Sequence, residues 1–156
     1  MSSQPFNVSP FNVSVHILLV EDDEVDQEDI RRTFKKNKIS NPLYIANNGL
    51  DALNKLLGQN GEQKLNPTPK IILLDINMPK MNGIEFLKAL RLNPELRSLL
   101  VFVLTSSDDD KDKIAAYKLN VAGYILKPLQ FADFAQAVTV LNMFWTLLEF
   151  PKQCPG

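Results

Sequence analysis

Residues 70–83 read KIILLDINMPKMNG. A run as apolar as Ile71-Ile72-Leu73-Leu74 stops on the carboxylate of Asp75, and Pro79 and Gly83 follow close behind. Four successive apolar residues bounded by turn formers are a strand covered on both faces, as in a parallel sheet; a half-exposed strand would alternate. The question is why such a strand should end on an acid.

Similar runs occur at residues 16–20, 43–46, 99–104 and 123–126, all but the last close to continuously hydrophobic. Between them lie helix-length segments at roughly 24–37, 50–59, 84–92 and 109–120, with a longer one from about 130 to 149. Strand followed by helix, five times over, specifies an α/β domain: a doubly wound, open five-stranded parallel sheet with right-handed crossovers and helices on both faces. Residues 61–69, GEQKLNPTP, form the one long loop, poor material for either element.

The chain has 156 residues, 45% of them hydrophobic, enough for one domain with a core and short for two. Seventeen lysines and arginines nearly balance eighteen acids, so no global field draws the protein to nucleic acid or an anionic membrane. The single cysteine, Cys154, excludes a disulfide framework or cysteine-rich metal site. No apolar run approaches the ~20 residues of a spanning helix, and no charged-then-apolar leader is present. A cytoplasmic protein is expected.

Residues 1–14 carry the tandem repeat PFNVS-PFNVS and are expected to form a flexible arm, with residues 15–149 as the domain and 150–156 as a tail. In the last helix, Phe131, Phe134, Val138, Leu141, Trp145 and Leu148 follow the spacing of one buried face. Val140, Met143, Phe144, Leu147 and Phe150 form a second apolar stripe beside it. Little chain remains to cover that stripe, which points to a subunit interface.

Ligands of open parallel sheets bind outside the carboxyl ends of the strands. There the first strand ends in Glu21-Asp22-Asp23, the third at Asp75, the fourth in Thr105-Ser106-Ser107 and the fifth in Lys127-Pro128. Two carboxylates ~4 Å apart repel by roughly 4 kcal/mol at an effective dielectric near 20. Lys127 offsets part of this, and a divalent cation with all-oxygen ligands, Mg²⁺, is the usual further remedy. Asp22 and Asp23 could instead simply cap the next helix. Acids at two strand ends, with Thr and Lys-Pro at two others, make capping alone an insufficient account. A carboxylate beside Mg²⁺, an ammonium and a hydroxyl can act as a nucleophile toward phosphorus, giving an aspartyl phosphate. His16, the only histidine, opens the first strand at the far end and reads as structural.

The motifs LLVEDD, LLDINMPKMNG, VLTSS and GYILKPL, in this order and at these strand ends, resemble the receiver domain of two-component response regulators over residues 15–149. The resemblance implies a flavodoxin-like (βα)5 receiver fold. It implies Asp75 as phosphoacceptor, Glu21 and Asp22 with Asp75 as Mg²⁺ ligands, and Asn77 as a further ligand through its backbone oxygen. Thr105 is implied as the switch hydroxyl, Lys127 as the lysine pairing with the phosphoryl group, and Tyr124 as the aromatic switch residue. A cis Lys127-Pro128 bond is implied as well. Asn77 and Ser107 fall where water access to phosphorus is tuned, and Glu21 stands where aspartate is more frequent. Members of this kind are switches rather than enzymes in the ordinary sense, catalysing only their own phosphotransfer and dephosphorylation.

The insert before the third strand and the apolar last helix resemble, more narrowly, the small regulators paired with cyanobacterial phytochrome-type histidine kinases. The implied partners are a sensor histidine kinase and a second copy of the chain, joined through the last strand and helix around Phe144, Trp145 and Leu147. With only PKQCPG after that helix, output through protein contacts or onward phosphotransfer is expected, without nucleic acid or membrane. Two alternatives stand beside this. A Mg²⁺-dependent phosphohydrolase with an aspartyl nucleophile would carry a second acid where Asn77 stands. A flavin module would need a phosphate cradle where the acidic EDDEVD lies.

Overall fold

In the computed structural model the described residues are 15–78, 80–106 and 118–152, with 144–152 described by main chain only. The expected arm, Pro79, Ser107, most of the expected 109–120 helix and the side chains of Phe144, Trp145 and Leu147 lie outside them.

Five strands, β1 (Ile17–Val20), β2 (Leu43–Ala46), β3 (Ile71–Asp75), β4 (Leu100–Thr105) and β5 (Gly123–Leu126), form one parallel sheet in the order β2-β1-β3-β4-β5. The described helices are α1 (Glu24–Lys36), α2 (Gly49–Leu57), α3 (Gly83–Leu92) and α4 (Phe131–Lys152). The expected α/β sheet with helices on both faces is observed. β1 and β3 are buried at every position, as their unbroken apolar runs require. β2 is equally apolar in sequence and packs on both faces, Tyr44 and Ala46 toward one core layer and Leu43 and Ile45 toward the other, yet as an edge strand it leaves Leu43, Tyr44 and Ile45 only half-buried.

Three boundaries differ from expectation by more than one residue. Residues 118–120 are not helical, and Lys118 and Asn120 have φ of 51° and 53°, so a helix there cannot extend to 120. α2 stops at Leu57 because Gly58, at φ 71°, caps it in the left-handed conformation. α4 continues to Lys152, past the expected end near 149.

The helix starts follow from their caps. The side chains of Asp23, Asn48 and Asn82 accept from Val25 N, Asp51 N and Glu85 N, and Glu85 returns the bond to Asn82 N at 3.0 Å, a capping box. One core layer gathers Leu18, Val20, Ile72 and Leu74 with Ala52, Leu56, Phe86, Leu87 and Leu90 of α2 and α3. The other gathers Ile17, Leu19, Ile71 and Leu73 with Ile30 and Phe34 of α1 and Phe131, Phe134 and Val138 of α4. Phe134 stacks on Phe34 at 6.1 Å and meets Phe102 edge-on at 5.2 Å. The predicted buried stripe of the last helix is therefore in place through Leu141, which is half-buried, while Val140 and Met143 are 64% and 66% exposed. No helix among the described residues is long and apolar enough to cross a membrane.

Candidate functional site

Register alone brings the strand-end residues together. Val20 is opposite Leu74, so Glu21 and Asp75 are the next residues along neighbouring strands. Asp75 is opposite Leu104, and Thr105 opposite Leu126, so Thr105 and Lys127 follow one step on. Main-chain bonds carry the ladder just past the strands, from Glu21 N to Ala46 O at 3.0 Å and from Lys127 N to Thr105 O at 2.9 Å. The Lys127-Pro128 peptide is cis, and so is Asn66-Pro67.

Glu21, Asp75 and Thr105 are buried, while Asp22 faces solvent. One carboxylate oxygen from each of Glu21, Asp22 and Asp75 lies within 4.8 Å of the others. Lys127 Nζ stands 2.9 Å from Glu21 Oε1, 3.0 Å from Asp26 Oδ2 and 3.5 Å from Asp75 Oδ1. The contact with Glu21 is close but misaligned, so the buried Oε1 receives no hydrogen bond from the described residues. Its other oxygen, Oε2, accepts from Asp23 N at 3.2 Å, and Asp75 Oδ1 accepts from Asn77 N at 3.2 Å.

Burial, followed by the hydrogen bond and the charge of Asp75, pushes the Glu21 carboxyl up to about 8, against the opposing pull of Lys127. Burial also disfavours the Lys127 ammonium, but Glu21, Asp75 and Asp26 outweigh it and hold the lysine above its usual range. Near neutral pH this favours the protonated form of the Glu21 carboxyl. Hard oxygen donors, an orphaned buried acceptor on Glu21 and a solvent-facing ligand in Asp22 all suit a small divalent cation, whose binding would expel that proton.

The two readings of the EDD run both hold, for different residues. Asp23 is a helix cap, with Oδ1 accepting from Val25 N at 2.8 Å, whereas Glu21 and Asp22 belong to the acidic cluster. Tyr124 is half-buried, opposite Val103 in β4, and packs against the α2/α3 layer. Asn77 is exposed beside Asp75. His16 lies at the far end, its Nδ1 2.9 Å from the Tyr44 hydroxyl, a structural placement as expected.

Two residues escaped the sequence reading. Gln27 is buried and donates from Nε2 to Glu21 O at 2.7 Å, fixing the β1 end against α1. Asp26 Oδ2 accepts the aligned hydrogen bond from Lys127 Nζ at 3.0 Å. Its signal was visible as an acid in the first turn of a helix, but that pattern ordinarily reads as a complement to the helix dipole.

Residues 17–139 match the family model of the response regulator receiver domain. The chain is 39% identical over 129 residues to response regulator Rcp1 of Synechocystis, covering 83% of this chain and 87% of that one. A crystal structure of the Mn²⁺-bound form of Rcp1 matches with a TM-score of 0.66 at 38% identity, over 85% of this chain and 94% of that one. A two-component response regulator from Legionella pneumophila matches with a TM-score of 0.73 at 44% identity, over 83% and 98% of the two chains. The phosphorylated cyanobacterial phytochrome response regulator RcpA matches with a TM-score of 0.68 at 31% identity, over 85% and 94%. With its parallel sheet, its acidic cluster and these relatives, the chain belongs to the response regulator receiver family and is a switch of phosphorylation-based two-component signalling.

Proposed function

We propose that Asp75 accepts a phosphoryl group from the phosphohistidine of a partner sensor kinase. The observation that supports this best is a buried carboxylate at the end of a central strand, within 4.8 Å of two further acids and 3.5 Å from an ammonium. An Asp75 oxygen attacks phosphorus in line with the imidazole nitrogen. The P–O bond forms, the P–N bond breaks with its electron pair passing to the ring, and the ring takes a proton from solvent.

Glu21, Asp22, Asp75 and the backbone oxygen of Asn77 would hold Mg²⁺, and the family relative solved with Mn²⁺ supports a divalent ion of this kind. When bound, magnesium neutralises charge on the phosphoryl oxygens. Lys127 supplies the protein's own positive charge to the same oxygens, and the Thr105 hydroxyl donates to one of them. Tyr124, on the neighbouring strand, then turns toward the space Thr105 leaves and passes the change to the surface around β5. A phosphohydrolase is disfavoured because the position two after Asp75 is Asn77, which cannot protonate a leaving group.

The kinase is of phytochrome type in our proposal, on the likeness to RcpA. A second copy of the chain docks through β5 and α4, where Val140 and Met143 are exposed and Phe144, Trp145 and Leu147 continue the apolar sequence. The lone cysteine and the kinase donor fit a cytoplasmic setting. Incubation with acetyl phosphate and Mg²⁺ should add one labile phosphoryl group, seen by intact-protein mass. Absence of the adduct, or its persistence in Asp75→Asn, would sink the assignment.

A further inference from the structure

Lys127 is shared among three carboxylates, and the sharing is unequal. Asp26 Oδ2 takes an aligned hydrogen bond at 3.0 Å; Glu21 is near but misaligned; Asp75, at 3.5 Å, lies beyond the usual N–H···O range. Both side chains of the Lys127–Asp26 pair are mostly shielded, at 15% and 19% exposure, so the contact is not a loose surface pair. Asp26 is also fixed in place. It sits in the first turn of α1, which is pinned by the Asp23 cap and by the buried bond from Gln27 to Glu21 O.

A phosphoryl group on Asp75 would bring about two negative charges and three acceptor oxygens to the other side of the same ammonium. Lys127 cannot align with Asp26 and with those oxygens equally, and α1 is not free to follow it. We propose that Asp26 is a positioning residue of the switch, holding the Lys127 ammonium on the α1 side of the cluster until the phosphoryl group on Asp75 draws it away. This rests on Asp75 as the acceptor. Its consequence is that the unphosphorylated state is favoured, because part of the energy of binding the phosphoryl group goes into breaking the Asp26 contact.

The bland alternative is that Asp26 only complements the helix dipole. Glu24 shares the same turn and the same dipole, is exposed, and so serves as the control. Beryllofluoride, which mimics the phosphoryl group without a covalent bond, would be titrated at saturating Mg²⁺ into the full chain by calorimetry. Asp26→Asn should bind it on the order of tenfold more tightly. Asp26→Glu, which can restore the contact, should stay near the unmodified affinity, and Glu24→Gln should not move. Should Asp26→Asn fail to fold, Asp26→Ser carries the same expectation. Unchanged or weaker binding by Asp26→Asn would overturn the proposal, as would equal tightening by Glu24→Gln. If the unmodified chain binds no beryllofluoride, Asp75 as acceptor falls with it; if it binds and Asp26→Asn merely matches it, only the role of Asp26 falls.

Discussion

Gly83 lies flush against the main chain of Asp75: a β-carbon on residue 83 would stand 2.7 Å from the Asp75 carbonyl oxygen and 2.6 Å from Ile76 Cα. The close approach is fastened by Gly83 N donating to Ile76 O at 3.0 Å, which folds the start of α3 onto the end of β3. Ile76 Cδ1, at 2.8 Å, could swing aside, but the two backbone atoms could not, so Gly83→Ala should destabilise the protein by about 1–3 kcal/mol. Urea unfolding measures this, and acetyl phosphate labelling should slow in parallel as Asp75 is pushed out of place. Stability equal to the parent would refute the packing account.

The raised Glu21 pKa predicts a pH dependence with a definite sign. Its ordinary value is 4.5 and its folded value about 8, so between these limits the folded protein without metal holds a proton that the unfolded chain has lost. The stabilisation is complete below about pH 4.5 and disappears as pH rises through about 8. In chelator, the stability difference between the parent and Glu21→Gln should shift against the parent across this window, by a few kcal/mol at ~1.4 kcal/mol per pH unit. Saturating Mg²⁺ should flatten the parent's decline. A decline equally steep in Glu21→Gln would show that another group is responsible.

Arg91 ties four carbonyls together. Its Nε donates to Leu119 O at 2.8 Å, its Nη1 to Arg97 O at 2.8 Å and Leu99 O at 3.0 Å, and its Nη2 to Asn120 O at 2.7 Å. These acceptors span the start of β4 and the approach to β5, so the fork of the guanidinium is the geometry they require. Arg91→Ala should cost about 1–3 kcal/mol, and Arg91→Lys should recover less than half, because an ammonium cannot reach all four. Thermal unfolding of both variants decides it; full recovery by lysine would mean charge, not the fork, is what matters.

The exposed flank of α4 gives a test of self-association. Val140→Asp with Met143→Glu places charge on a surface that is open in the single chain, so secondary structure should change little and melting should fall only by what loss of the partner removes. Sedimentation should show the parent as a dimer and the double variant as a monomer. A dimer of unchanged size would locate any self-association elsewhere.

Much of the fold was legible because the signals are local. Continuous apolar runs, three-and-four helical spacing and the Asn and Asp caps each act over a few residues, and they placed the five strands and the four described helices in the right order. β2 is covered on both faces as its run implies, but it is less buried than β1 and β3 because an apolar run does not reveal whether a second strand neighbour exists. The helical end expected at 120 failed because the left-handed backbone of Lys118 and Asn120 has no signature in those residue types strong enough to predict it.

For the site, the sequence by itself determined which side chains stand at the carboxyl ends of the strands, since every parallel strand delivers its last residue to the same edge of the sheet. Asp75 ends its strand for that reason, and Glu21, Asp22, Thr105 and Lys127 join it by register. What only the tertiary structure decided is how those groups share charge: that Glu21 is wholly buried, which pushes its carboxyl upward, and that Lys127 leans on Asp26, 101 residues away in the chain. Such choices turn on tenths of an ångström and on desolvation, and both are set by how α1 packs against the sheet.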